Sequence, residues 1–452
     1  MSTRHKYKLL GRGWELYSTS FLLFQLLFSR GVITWQGVGN FGISLPSFCQ
    51  KIREEVRIVK ERELKLQWLL LGAFLTSFGN SFVWPLTTVY SHDQLHQSLT
   101  VSGLVLMFFS GANVLGSFLA GNLFDRFRPQ RLMAGGLVAA IITMIAMVFQ
   151  NGWPAYPILL TLVGFFNGWL LTLLNSFGTR LRGHDGRFIF NMLYFFNNLG
   201  MVFGTTIVGP IYEFAHHHVG PLFVITAVLY TLFFGVVLRY YQLPKANAEK
   251  ISHHQVQSKL PRVNAEVIWT LCLALMITWL IYVQWSSNMS VYITGKGVSM
   301  SLYSLLWTLN GLLVISFQLV INWLNRWVKN DYHYVYFGLT TIALSFGILL
   351  IADNYWWFVL GMVILTLGET TAFPMIPAIV NQLTPLSEKG RYQGILNALI
   401  AVGKAIGPLA GGMVIERLSY RPLFEICMGV GLLVTVVVTV VTYHRQSQVV
   451  HY

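Results

Sequence analysis

Residues 121–131 read Gly121-Asn122-Leu123-Phe124-Asp125-Arg126-Phe127-Arg128-Pro129-Gln130-Arg131. One acid and three arginines here separate two apolar runs, roughly 100–122 and 132–150. Each run is about as long as the ~20 residues that a helix needs to cross hydrocarbon. The stretch is therefore a short basic loop between two membrane crossings, and the same alternation continues along the chain. Over 452 residues, 54% are apolar, 15% aromatic and only 11% charged, with a mean hydropathy of +0.57. An ordinary soluble domain carries about 25% charge and has too large a surface to hide this much apolar area. Cys49, Cys272 and Cys427 are scattered without CxxC spacing, which excludes a disulfide scaffold. A net charge of +14 suggests nucleic acid, but the basic residues sit in short clusters between apolar runs, so no nucleic-acid partner is expected. The chain is an all-α polytopic membrane protein whose solvent is the lipid bilayer.

Windows of crossing length give twelve spans. The first six are roughly 66–90, 100–122, 132–150, 156–178, 188–212 and 220–242. The second six are roughly 266–292, 301–324, 333–352, 355–380, 392–415 and 420–443. This predicts a six-helix half over 66–242, a polar linker over 243–265 carrying Pro244 and Pro261, a second half over 266–443, and a tail over 444–452. Fifteen basic residues occupy one set of loops: Arg126, Arg128, Arg131, Arg180, Arg182, Arg187, Arg239, Lys245, Lys250, Lys259, Arg262, Arg326, Lys329, Lys389 and Arg391. The opposite set holds three, Lys296, Arg417 and Arg421. By the positive-inside rule the richer side is cytoplasmic, which places both ends of the bundle in the cytoplasm of a cell-membrane protein. The excess charge then marks topology and attraction to anionic headgroups.

Residues 1–65 stand apart. The stretch 20–48 is fairly apolar but holds Gln25, Arg30, Gln36 and Asn40, and basic residues flank both sides. A thirteenth crossing would put one basic flank on the wrong face, and no small-residue cleavage site marks a signal peptide. The segment reads as an over-extended gene start: Arg53-Glu54-Glu55-Val56 is codable by a purine-rich ribosome-binding run, and Val59 by a GTG initiator. A membrane-associated leader is the plainer alternative.

The two sixes carry traces of duplication. Ser110-Gly111 matches Asn310-Gly311, and Asp125-Arg126 matches Asn325-Arg326, both at an offset of 200. Gly186-Arg187-Phe188 matches Gly390-Arg391-Tyr392 at 204, and Gly200 and Gly204 match Gly403 and Gly407 at 203. Nearly constant spacing over several matches points to a parallel repeat.

On these residues the chain resembles the major facilitator superfamily. Residues 121–131 are similar to that family's loop signature G-x-L-x-D-R-x-G-R-[RK]. Gly121, Leu123, Asp125 and Arg126 keep their places, and Arg131 supplies a trailing basic group. Arg128 and Pro129 stand where the family has Gly and Arg. Gly407-Pro408-Leu409-Ala410-Gly411-Gly412 in span 11 looks like the G-P-x-x-G-G signature that antiporters usually carry in span 5. The resemblance implies two pseudo-symmetric six-helix halves rocking about a midplane site. It also implies a conformational latch at Gly121, Asp125, Arg126 and Arg131, favoured here over a merely solvated loop because Asp125 is a single acid among arginines.

Charges within spans are costly, about 2.5–3.5 kcal/mol at a helix centre. Two sit well inside: Glu369 in span 10 and Lys404 in span 11. A carboxyl in an apolar setting favours its neutral form and can cycle a proton, so Glu369, with Lys404, is the candidate for proton coupling. A structural Glu–Lys pair with no transport role is the equal alternative. Two features of the drug:proton antiporter branch are missing. Span 1 offers Asn80 in place of an acid, and no Arg precedes Gly164 or Gly168 in span 4.

Uncharged polar residues supply cavity candidates. Asn191, Tyr194 and Asn198 share a face of span 5. Asn80, Asn113, Asn167, Tyr282 and Trp285 lie on other spans. Amides in hydrocarbon turn inward to find partners, and amides with aromatics suit an amphipathic or cationic small-molecule solute. For any single Asn, interhelical packing is the plainer explanation. Gly200/Gly204 and Gly403/Gly407 are small-residue pairs for close helix approach, while Pro85, Pro210, Pro374 and Pro377 should bend their spans.

Glu213 with His216–His218, and His253-His254, lack metal-ligand spacing, so no metal is assigned. Phosphate loops, nucleophile elbows and HExxH are absent. No cofactor, catalytic residue or ATP site is expected, and the chain is not an enzyme. The reading that results is a proton-coupled exporter of amphipathic molecules acting as a monomer, most like multidrug exporters. A nutrient importer (sugar or peptide) and a non-transporting sensor are the alternatives.

Overall fold

A backbone in hydrocarbon has no water to satisfy its N–H and C=O groups, and helices satisfy them internally. The computed structural model describes residues 64–452, except 125, 182–185, 243–259, 325–326, 328–329, 386–387 and 451, and except the side chains of 186, 187, 322–324 and 390. The expectations for residues 1–63, for most of the linker, and for Asp125 and Arg326 lie outside the described residues.

The chain is helical throughout: α1 (Leu66–Asn80), α2 (Leu99–Phe124), α3 (Pro129–Phe149), α4 (Ala155–Thr179), α5 (Gly186–Phe214) and α6 (Gly220–Tyr240). There follow α7 (Arg262–Ser286), α8 (Met300–Leu324), α9 (Asp331–Leu349), α10 (Tyr355–Leu383), α11 (Lys389–Arg417) and α12 (Tyr420–Arg445). Among the described residues, eleven helices are long and apolar enough to cross a membrane. The remaining crossing is the first. Its 15-residue helix α1 gives way to turns over 81–86, then to a short helix Thr87–Val89 and a π-helical turn Tyr90–Gln94. Pro85, which has no N–H to donate, sits inside the broken stretch. The continuous span expected over 66–90 is thus a broken one. Span 7 breaks too: α7 ends at Ser286 and a second piece, Asn288–Gly295, follows Ser287.

Packing repeats six helices on. In the first half α1 packs on α5 and α6, α2 on α4, and α3 on α6; in the second α7 packs on α11 and α12, α8 on α10, and α9 on α12. The halves meet through α2 against α11 and α5 against α8, two contacts related by the same duplication. Among the described residues, Arg126, Arg128, Arg131, Arg180, Arg239, Arg262, Lys389 and Arg391 stand at or beside the helix ends of one end of the bundle, here the basic face. Pro129 occupies the first position of α3, where a missing N–H costs nothing, which accounts for its departure from the family pattern.

Side chains such as Phe118, Ile142, Ile158, Leu319 and Leu433 are exposed on the outside of the bundle. In water such a belt would drive aggregation; in lipid it is the expected outer surface. Inside, one apolar core runs through both halves at the opposite face, from Leu99 and Tyr212 to Met289, Met300 and Trp307. At the basic face the second half has its own core, with Val267, Leu271, Val380 and Val438. Toward the basic face Phe190 and Tyr194 of α5 and Asn397 and Lys404 of α11 are exposed. The side-chain hydrogen bonds between the halves, among the described residues, lie toward the opposite face. The halves are therefore joined at the opposite face and parted at the basic face.

Within the first half, glycines carry the contact of α2 with α4. A Cβ on Gly168 would run into the backbone oxygen of Asn113. Both helices belong to the same half, so no relative motion of the halves relieves that clash. Gly168→Leu is expected to lower stability by about 1–3 kcal/mol, read as a lower midpoint of thermal unfolding in detergent.

Candidate functional site between the halves

Glu369 owes its position to its neighbour. Gly368 has no side chain, so α10 lies against α9, where a Cβ would meet Gly338 O and Ile342. The next residue projects about 100° away, toward α7 and α8. There Tyr282 Oη donates to Glu369 Oε2 at 2.9 Å, and Asn310 Nδ2 donates to the same oxygen at 2.8 Å. Asn310 Nδ2 also reaches Thr366 Oγ1 at 2.9 Å, and Asn310 is buried. Three helices thus converge on one carboxylate oxygen, and Oε1 has no partner among the described residues.

Aromatic rings wall this point. Tyr282 packs edge-on against Trp279, Phe373 and Trp307, and Trp279 stacks on Phe373 with centroids 4.3 Å apart. Lys404 Nζ lies 3.8 Å above the Trp279 ring, a cation–π contact. Gly403, Gly407 and Gly411 turn toward α7, and Gly412 toward α2. Lys404 sits on the arc between these faces, away from the outward-facing Val402 and Ile406, and is exposed into the space between the halves. No carboxylate lies within ion-pair distance of it among the described residues. Glu369 and Lys404 are therefore linked through Tyr282 and Trp279 without forming a direct pair.

The first half contributes Tyr194 of α5, which is exposed. Asn191 beside it is exposed too. Asn198 spends its amide on its own helix, Nδ2 to Tyr194 O at 2.9 Å. Asn113 and Asn167 are half-buried and make no side-chain hydrogen bond among the described residues. Asn80 stands at the break of α1 with its Oδ1 buried and unpartnered. Trp285 requires a correction. It is fully buried within the second half, against Gly361 and Phe346, and lines no space between the halves.

At the basic loop, Gly121 is half-buried with Thr172 nearby, and Arg126 and Arg131 are exposed; Asp125 lies outside the described residues. Arg180 joins this corner, its guanidinium 5.4 Å from the Phe124 ring centroid. Buried polar residues of α7 and of the short piece that follows it serve α11. Gln284 Nε2 donates to Gly407 O at 2.7 Å, and Asn288 Nδ2 to Pro408 O at 3.3 Å, in the region of the helix that Pro408 weakens. These amides hold helices together, as packing predicts. Glu213 and Glu416, neither of which the sequence placed in a site, both reach across to the other half. Glu213 receives the Ser301 N–H at 2.8 Å and its Oγ–H at 2.7 Å. Glu416 receives the Thr100 N–H at 2.8 Å and its Oγ1–H at 2.6 Å.

A family model described as the Major Facilitator Superfamily matches residues 69–353 and 332–450. The chain belongs to this superfamily. It is a multi-pass membrane transporter of small molecules, and such transporters are not enzymes. A Bacillus subtilis (strain 168) protein named as an uncharacterized MFS-type transporter, YttB, is 35% identical over 366 residues, covering 80% of this chain and 90% of its own. A multi-drug resistance efflux pump PmrA homolog of Lactococcus lactis is 28% identical over 192 residues, 40% of this chain and 46% of its own. Among solved structures, a peptide transporter of the POT type with bound sulfate superposes with a TM-score of 0.71 at 17% identity, covering 87% of this chain and 99% of that one. At that identity the likeness is one of fold.

Proposed function

We propose that this superfamily member is a secondary active transporter that exports amphipathic, cationic small molecules in exchange for protons. The observation that carries the proposal is the half-satisfied carboxylate of Glu369. Both donors end on Oε2, so Oε1 is available to take a proton without disturbing Tyr282 or Asn310. While Glu369 is ionised it offsets Lys404 and leaves a cation acceptable among Trp279, Tyr282 and Phe373. Once it is protonated, the charge of Lys404 stands unopposed and repels a cation. Proton and cationic solute then compete, which is the logic of antiport. The likeness to a named efflux pump supports the direction of transport.

The remaining parts follow from this reading. Residues 66–242 and 266–443 rock as two bodies joined by 243–265, with the basic face and both ends of the bundle in the cytoplasm. Gly121, Asp125, Arg126 and Arg131 latch that face when it closes, and Tyr194, Asn191, Asn113, Asn167 and Asn80 supply the polar lining from the first half. A monomer suffices.

The test is a panel of fluorescent cationic and neutral amphiphiles in everted membrane vesicles, which load exporter substrates inward. Accumulation of cationic members should follow an acid-inside gradient and collapse when a protonophore is added. A panel that stays outside, together with proton-driven uptake of a sugar or peptide into intact cells, overturns export.

A further inference from the structure

The loops of the opposite face join through two carboxylates, and the two joints are copies of one another. In α5 the sequence Gly209-Pro210-Ile211-Tyr212-Glu213 ends a helix of the first half, and in α11 Gly412-Met413-Val414-Ile415-Glu416 ends one of the second. Both Gly and Glu repeat at an offset of 203, the spacing that relates Gly200 to Gly403. Each glycine lets its helix touch the first turn of a helix in the other half. A Cβ on Gly209 would meet Ser301, and one on Gly412 would meet Leu99 and Thr100. One turn on, each glutamate closes over the same first turn.

The chemistry at the two joints is the same. The first turn of a helix carries N–H groups with no partner inside the helix, and its end is electropositive. Ser98 and Ser299 take one such N–H each, from Val101 at 3.2 Å and Leu302 at 3.3 Å. The N–H groups of Thr100 and Ser301, two residues beyond each serine, go to Glu416 and Glu213, and the hydroxyls of the same residues fill the second carboxylate oxygen. Each carboxylate is thus bound through both oxygens, with charge-assisted bonds, by a residue of the opposite half. Each also walls a recess on this face, of 400 Å³ beside Glu213 and 610 Å³ beside Glu416. Among the described residues, the other side-chain hydrogen bonds between the halves, from Thr205 and Thr206 to Thr308, lie on the same side.

We infer that Glu213 and Glu416 are the paired bolts of the gate at the opposite face, both of which must be drawn for that face to open. They act on the position of the halves and touch no solute. Two bolts at symmetric places resist hinging about either contact, so releasing one leaves the gate held by the other. Breaking one exchanges two charge-assisted bonds for hydration and shifts the closed-to-open ratio by about tenfold. Breaking both shifts it by about a hundredfold if the joints act independently.

This inference rests on the two-body reading of the halves, but on no substrate or coupling ion, so its test uses no transport assay. Spin-label pairs are placed in the full chain, with its native cysteines replaced, at His218 and Arg421 on the opposite face and at Phe127 and Trp327 on the basic face. All four positions are exposed. Distances are measured in lipid nanodiscs. In the double variant Glu213→Ala/Glu416→Ala, which removes the acceptors of both joints, the first pair should lengthen and the second shorten, and each single variant should move both distances the same way but less. Thr100→Val/Ser301→Ala, which removes only the hydroxyl donors, should shift both distances the same way but less, and it serves if the first double variant does not fold. Unchanged distances overturn the inference. So does faster amide exchange confined to residues 98–104 and 299–305 with fixed distances, since that outcome makes the glutamates helix caps and no more. A first pair that lengthens while the second stays fixed also overturns it, and further removes the coupled motion on which transport by alternating access rests.

Discussion

Everted vesicles carrying Glu369→Gln are expected to lose gradient-driven accumulation of a cationic dye by about tenfold or more, and exchange of labelled for unlabelled dye without a gradient should weaken too, since neutral Gln leaves the charge of Lys404 unopposed. The expectation follows from what Gln keeps and what it lacks. Its carbonyl oxygen still accepts from Tyr282 Oη and Asn310 Nδ2, the two bonds that hold Glu369 at 2.9 and 2.8 Å, so the convergence of α7, α8 and α10 survives. What disappears is the charge and its reversal. A unit charge 4 Å from another is worth about 1 kcal/mol in bulk water and about 4 kcal/mol at a protein-like dielectric. The range spans roughly five- to a thousandfold in an equilibrium, enough to decide whether a cation and a proton exclude one another. With Gln the site is fixed in the state that mimics proton loading, so it neither senses the gradient nor passes a proton. Lys404→Met should act differently. It removes the opposing cation above Trp279, so dye binding should persist at acid pH while gradient-driven accumulation weakens. Undiminished accumulation with Glu369→Gln would take Glu369 out of the coupling step.

Much of the frame is written in the sequence because lipid makes burial a one-dimensional problem: a crossing is a long apolar window, and arginine marks one end. The break in span 1 is harder to see, because hydropathy averages over residues while helix continuity depends on individual N–H groups. Pro85 advertises a bend, but the turns over 81–86 also depend on what packs around them, including the Trp84–Trp307 contact between the halves with centroids 4.8 Å apart. Trp285 misleads for a related reason. It lies three residues from Tyr282 in one aromatic cluster, and only Gly361, far along the chain, provides the hollow that takes it away from the space between the halves. Glu369 and Lys404 are conspicuous because charge in hydrocarbon is rare. Asn310, which holds Glu369, is visible only as half of a repeat match with Ser110. Glu213 and Glu416 share the offset of the repeated glycines and were legible as a pair. Their partners were not, since no local pattern says which helix of the other half lies opposite, and a carboxylate at a helix end carries no cost that draws notice.

Two leucines introduced into the same helix should separate the gate from the scaffold. A Cβ on Gly103 of α2 would meet the backbone of Pro408 and Leu409 in α11, whereas a Cβ on Gly111, two turns further along, would meet nothing within 4 Å. Both substitutions raise intrinsic helix propensity by about the same amount, up to ~1 kcal/mol, and both place a leucine on one transmembrane helix. They differ in the neighbour alone. For Gly103→Leu that neighbour is rigid backbone of the other half, so overpacking costs about 1–3 kcal/mol in the closed arrangement. Nothing is lost once the halves separate at that face. The clash at Gly168, by contrast, lies within one half and cannot be escaped by motion. Gly103→Leu is therefore expected to keep its thermal stability within a few degrees while the His218–Arg421 label distance lengthens, by a population shift of about five- to a hundredfold. Gly111→Leu should leave that distance where it is, and Gly168→Leu should lower stability without moving it. If Gly103→Leu instead unfolds the protein as Gly168→Leu does, the contact of α2 with α11 is permanent packing, and the opposite face does not open by parting these two helices.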